Sequence, residues 1–369
     1  MPFEFPSEKL ERNRRKHLDW WAKKGIQPIL GFAVKNKPPS GDCPAAPLLS
    51  QAVAGELQYT PEQLADRIYW ELCQYSYYGD LLPFLNLASY GPGSLAAMLG
   101  ANLKVHDERV WFDVDEVKPI EELTLKYDPE NFWVKRIKAL YKACNERFEG
   151  KVMLGLPDLG GVLDVIATFR TSENLLTDLY DSPDEVLRLV SEGQNAWYDA
   201  YFDLAKAAHS EENGYTNWSL VYSDMPAYIT QCDFCYMISP RHFDRFVFDT
   251  LKTDCDRLTN VIYHLDGDGQ IPFADRILSI KKLDAVQWVP GDGKPPQCAY
   301  GDLMKKIADA GKSFHLTGIR PGGRGLENFE YFYDRFDRGR LCVGFGANAL
   351  PASDGDFAKD ILKKYGIPL

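Results

Sequence analysis

The stretch NVIYHLDGDGQIP, residues 260–272, ends an apolar run in His264, Asp266 and Asp268, with glycines at 267 and 269. On a strand, His264 and Asp266 are two positions apart and share one face. A histidine beside a carboxylate can act as general acid or base, or hold one position on a metal ion. These two residues supply two ligands where zinc takes three or four. A structural role is the alternative, with Asp266 capping a turn that Gly267 and Gly269 bend. Polar groups at the end of a buried strand are costly to keep unless they are used, which favours a functional reading. Asp268 reads as a turn residue.

Other chemistry-bearing residues also stand where apolar runs stop. Asn86 lies in LPFLNLA (82–88), Asp158 in KVMLGLPDLGG (151–161) and Asp233 in AYITQCDF (227–234). Gln287 and Trp288 end DAVQWVPGD (284–292), His315 sits in KSFHLTGI (312–319), and Asn348 closes RLCVGFGAN (340–348). Trp288 suits a pocket wall and a core position equally, since aromatic rings line both. A lone strand histidine such as His315 is more often a satisfied core residue. Arg320 and Arg324 in GIRPGGRG (318–325) could form an anion nest, for a carboxylate or a phosphate; the alternative is a turn with two solvated arginines. Cys232 and Cys235 form the lone CxxC, and positions i and i+3 of a straight strand face opposite sides.

The elements that must carry these residues alternate. Short apolar runs end in Gly, Asp, Asn or Pro, and longer amphipathic segments follow. QPILGFAV (27–34) is the first strand; 82–88, 151–161, 227–234, 260–267, 284–292, 312–319 and 340–348 supply seven more. Helices are predicted over 7–24 with Ser7 as cap, 60–79, 128–148, 182–209 and 239–258. Residues 104–119 read as a hairpin or irregular insertion. Parallel strands buried on both faces read as continuous apolar runs, as these do. About eight βα units favour a (β/α)8 TIM barrel over an open doubly wound sheet. No GxGxxG follows the first strand. The α/β chain is read as one domain, 1–369, with an N-terminal helical extension (1–25) and a small insertion (102–127) after strand two. In a barrel, chemistry gathers at the strands' C-terminal ends.

The 369 residues are 45% hydrophobic, enough for a large core. A net charge of −11 argues against nonspecific nucleic-acid binding. The first residues lack the apolar core of a signal peptide, and no stretch approaches the roughly 18 apolar residues of a membrane span. The expectation is a cytoplasmic protein with a small-molecule substrate, no nucleic-acid or membrane partner, and room for a homodimer. Eight scattered cysteines give no disulfide framework.

From LLTDLYDSPDEVLRLV (175–190), CDFCYMISPRHFDRFV (232–247), YHLDGDG (263–269), LDAVQWVPGDG (283–293) and GFGAN (344–348), the chain resembles the uroporphyrinogen decarboxylase superfamily. That superfamily includes methyltransferases that work with corrinoid proteins. The resemblance runs in family order over about half the chain and implies a (β/α)8 barrel with a deep cleft. The sequence departs from both branches. PILGFAVKNKPPSG (28–41) has no counterpart of the arginine-rich motif that grips porphyrinogen carboxylates, and Asn86 stands nearest the catalytic aspartate's place. The zinc methyltransferases' His-x-Cys is here His264-Leu265-Asp266, and their GCG turn is Gly344-Phe345-Gly346. Cys235 or Cys342 could substitute, though the spacing does not demand it.

The resemblance therefore implies a methyltransferase-like enzyme. Its catalytic set would be His264, Asp266 and Asp233, with His264 and Asp266 as metal ligands, zinc being the candidate ion. Asn86, Asp158, Gln287, Trp288, His315 and Arg320 would bind substrate. The corrinoid would ride on a separate protein, since DxHxxG is absent here. Two alternatives stay open: a lyase or decarboxylase with Arg320 on the substrate carboxylate and His264 as proton donor, and a noncatalytic ligand-binding barrel.

Overall fold

The computed structural model describes residues 3–39, 41–345 and 349–369. Its strands, in chain order, are β1 (Gly31–Lys35), β2 (Tyr75–Gly79), β3 (Phe84–Leu85), β4 (Asn102–His106), β5 (Arg109–Asp113), β6 (Met153–Leu154), β7 (Ala227–Gln231), β8 (Asn260–Asp266), β9 (Ala285–Val289), β10 (Ser313–Leu316), β11 (Leu341–Val343) and β12 (Leu350–Pro351). The chain is mixed α/β. Its largest sheet is five-stranded and parallel, in the order β11-β10-β9-β8-β7. A parallel bridge from Ile29 to Cys342 brings the segment before β1 to the β11 edge. β3 and β6 form a separate parallel pair, and β1 lies between β12 and an antiparallel β2.

Strand periodicity sorts side chains to the two faces of the large sheet. Val261, Tyr263, Leu265, Val286, Trp288, Phe314 and Leu316 pack into the main core. Ile229, Ile262, Ala285 and Cys342 form a smaller cluster on the opposite face with Trp20 and Trp21. Those tryptophans come from the N-terminal helix, Ser7–Trp21, whose buried stripe is Asn13, His17, Trp20 and Trp21. Trp20 Nε1 donates to the Arg340 carbonyl at 3.0 Å, and Lys23 Nζ donates to that of Gly311 at 2.8 Å. The C-terminal end of this helix therefore sits where β10 and β11 begin.

Several elements differ from the sequence reading. The helix expected over 60–79 ends at Leu72, and Tyr75–Gly79 turns back as β2 against β1. Alternating tyrosines suit a pleated, half-buried surface. The helix start itself holds: Thr60 and Gln63 form a reciprocal capping box ahead of Pro61. Ser7 is the first helical residue and not the cap, which is Pro6. The strands expected over 82–88 and 151–161 shrink to two residues each. The helix expected over 239–258 breaks at Val247 into Pro240–Phe246 and Phe248–Arg257. Residues 104–119 do contain a hairpin, β4–β5. Helices Val162–Arg170 and Ser172–Asp181 were not anticipated.

Candidate functional site

Strand register assembles the site. Gln231, His264, Gln287, His315 and Cys342 lie side by side across β7 to β11. They share the face that carries the tryptophan cluster, and three of them form a hydrogen-bonded relay. The Ser219 carbonyl can only accept, so His315 Nε2 carries the proton and donates to it at 3.1 Å. Nδ1 of the neutral ring then accepts from Gln287 Nε2 at 2.7 Å. That orients the amide with Oε1 toward His264, whose Nδ1 donates across 2.5 Å. Nε2 of His264 is left with the lone pair. Burial keeps both rings neutral. It pushes His315 down to about 4, and it lowers His264 against the opposing pull of Asp266.

Asp233 and Asp266 lie beside the His264 ring. Asp233, His264 and Asp266 each offer one ligating atom, all within 4.8 Å of one another. Asp266 is the last residue of β8. Asp233 opens the 3-10 turn Asp233–Met237, and Asp164 anchors that turn. Its Oδ2 accepts from Asp233 N at 3.1 Å and its Oδ1 from Phe234 N at 2.7 Å. Oδ2 also accepts from Gly161 N at 3.2 Å, closing the N-terminus of helix Val162–Arg170. Asp233 stands exposed at the lip, with the chain crowding its carboxyl from behind. Burial, then the charges of Asp164, Asp266 and Asp158, holds that carboxyl above the usual carboxylate range. Asp158 is pushed up to about 7 by burial, with Asp164 adding to it. Cavities of about 320 and 300 Å³ open on the two sides of Asp233.

The remaining sequence candidates scatter. Asp158 lies behind the lip, accepting from Gly160 N at 3.0 Å. His315 is 3% exposed and acts inside the relay. Trp288 is 2% exposed and packs against Tyr300 in the main core. Strand parity sends it away from Gln287. Asn86 lines a different cavity, beside Tyr77 and Phe345. Arg320 borders a small pocket with Ile319 and Phe345. Arg324 donates to the Lys294 carbonyl at 3.3 Å. Asp268 is a turn residue, paired with Lys294 at 2.7 Å. Cys232, Cys235 and Cys342 are buried, and all three thiols are raised. Asn348 and Gly346 fall outside the described residues.

Three contributors were missed. Asp164 carried a legible signal, a Gly followed three residues later by an acid at a helix start. Ser219 and Trp218 sit in a loop without periodicity. Trp218 stands edge-on to His264, with ring centroids 5.2 Å apart. Its indole Nε1 is buried and without a hydrogen-bond partner among the described residues.

No family model and no curated protein matches the chain. Among solved structures, a methyltransferase from Methanosarcina mazei is similar, with a TM-score of 0.62 over 95% of this chain and 99% of that one, at 11% identity. At that identity the likeness carries the fold, and chemistry must be argued from the site.

Proposed function

We propose that the chain is a methyltransferase-like enzyme that moves a methyl group to or from a small molecule at a divalent-cation site formed by Asp233, His264 and Asp266. The scaffold would be a closed (β/α)8 ring of the segment 29–35 with β3, β6 and β7 to β11. The Ile29–Cys342 bridge and the β3–β6 pair support that closure. The observation that carries the function is the relay, which bares one imidazole lone pair beside two carboxylates.

The donors fit a metal. One neutral imidazole and two carboxylates are ligand types that zinc accepts, and a three-ligand site leaves a position for a reactant. When bound, such an ion would supply Lewis acidity toward the heteroatom that gains or loses the methyl group. The chain's own part is positioning. Gln287 and His315 fix the ring of His264, Asp164 fixes the turn bearing Asp233, and Trp218 walls one side of the imidazole. Asp233 holds its proton more tightly than an ordinary carboxyl, so cation binding would release that proton. The methyl carrier in this proposal is a corrinoid on a separate protein. The neighbour's description as a methyltransferase supports the transfer reaction.

The test is zinc stoichiometry after purification and dialysis, together with demethylation of free methylcobalamin in the presence of small thiols or amines. Wild type should hold zinc and consume methylcobalamin, while His264→Ala should do neither. Equal zinc content in the two proteins, with no demethylation by either, would refute the proposal.

A further inference from the structure

One of the two cavities beside Asp233, of about 300 Å³, opens past the ends of β8 and β9. Asp233 and Asp266 of the candidate cation site line it, and so do Tyr236, Asp268, Asp292 and Lys294. Its described wall therefore sets four carboxylates against one ammonium. That ammonium is already paired: Lys294 Nζ meets Asp268 at 2.7 Å. Arg324, on a neighbouring loop, is not among the described lining residues and donates to the Lys294 carbonyl at 3.3 Å. The carboxylates of Asp233, Asp266 and Asp292 have no ion-pair or hydrogen-bond partner among the described residues.

Short turns hold these groups together. Gly267 N donates to the Val289 carbonyl at 2.7 Å, which keeps the turn after β8 beside the one after β9, where Asp292 sits. Tyr236 lies against the first of these turns. A Cβ at Gly269 would fall 2.5 Å from its Cδ2, so only glycine there leaves room for the ring. The Tyr236 hydroxyl donates to Asp268 Oδ1 at 3.3 Å. The side chain is thus fixed at two places while the residue stays 53% exposed.

A divalent cation held by Asp233, His264 and Asp266 would neutralise two of the three unpaired carboxylates. Asp292 is the one left over, since it lies outside the cation-binding set. We propose that the small molecule handled at this site carries an ammonium group, which the cavity takes with Asp292 as counter-ion and the Tyr236 ring beside it. An anion entering the cavity would meet unpaired carboxylates and no free cation in the described wall. An alkylated ammonium gains further from a neighbouring aromatic ring. The inference rests on the proposed function and names its substrate class: the reacting heteroatom lies at the cation site while the ammonium stays in the cavity. The preference for positive charge follows from the cavity wall itself.

Calorimetric titration of the full-length protein, supplied with zinc at low ionic strength, tests it with cysteamine, 2-mercaptoethanol and 3-mercaptopropionate. The three thiols differ in the charge of the far end. Cysteamine should bind at least about threefold more tightly than the neutral thiol and at least about tenfold more tightly than the anionic one. Asp292→Asn should weaken cysteamine about twofold to fivefold. Asp292→Lys should weaken it further and strengthen 3-mercaptopropionate. These variants decide the matter because they leave the acidity of each thiol unchanged. Asp292 is exposed, so both variants should fold, which near-ultraviolet circular dichroism verifies, and their zinc content should equal wild type's. Equal affinity for the three thiols, absence of binding, or cysteamine affinity unchanged in both variants would overturn the inference. Demethylation of methylcobalamin by thiols in no order of charge would leave the methyl-transfer reading standing and sink this one. Selective binding of cysteamine with no demethylation by any thiol would do the reverse.

Discussion

Gln287 has a role that only its amide can fill, because it donates at one end of the relay and accepts at the other. Gln287→Leu keeps most of the volume and frees the imidazole of His264 to rotate and change tautomer. Loss of such an outer partner typically weakens metal binding about 10–100-fold, and zinc competition against a chromophoric chelator should show this with the melting temperature little changed. Asp158 gives a pH signature. Its folded-state pKa of about 7 lies above the unfolded value, so ionisation is a penalty paid in the native state as pH rises through that value. Asp158→Asn removes the penalty, so relative to wild type the variant should gain about 1–3 kcal/mol between pH 5 and pH 8, read from urea midpoints. His264, Asp266 and Asp233 were legible in the sequence because each closes an apolar run. Trp218 and Ser219 were not, since their relevance comes from packing across more than forty positions of chain, with His264 and His315 on the far side.

Between elements, the β1–β2 seam is the sharpest constraint. Gly79 has φ 67°, and a Cβ there would sit 2.4 Å from the Leu30 carbonyl oxygen. Gly79→Ala should cost at least about 2 kcal/mol, measured by denaturant unfolding. β8 to β11 were readable because short runs of β-branched, aromatic and leucine residues suit a parallel strand covered on both faces. β2 was hidden because its tyrosines continue the spacing of the preceding helix, and only pairing with β1 makes it a strand. β3 and β6 were overestimated for the opposite reason: the apolar run around β6 is buried and that around β3 partly so, yet most of their length is irregular backbone.

At the scale of the molecule, the N-terminal helix belongs to the core. Trp20 is 1% exposed within the cluster on the site-bearing face of the large sheet. Trp20→Ala should destabilise the whole chain by about 3–5 kcal/mol, as a lowered urea midpoint in one cooperative transition, whereas an appendage would give a separate early phase. The mixed α/β character and the strands of the five-stranded parallel sheet were legible from alternation, but this helix read as an extension because its tryptophans sit among charged residues. Its position governs traffic. Trp20 and Trp21 floor the site-bearing face at the strand beginnings, so in the proposed enzyme, among the described residues, the approach to the imidazole left open is past the strand ends. Incoming and outgoing molecules must then share one doorway, and a spent reactant that lingers there blocks its successor: product should compete with substrate.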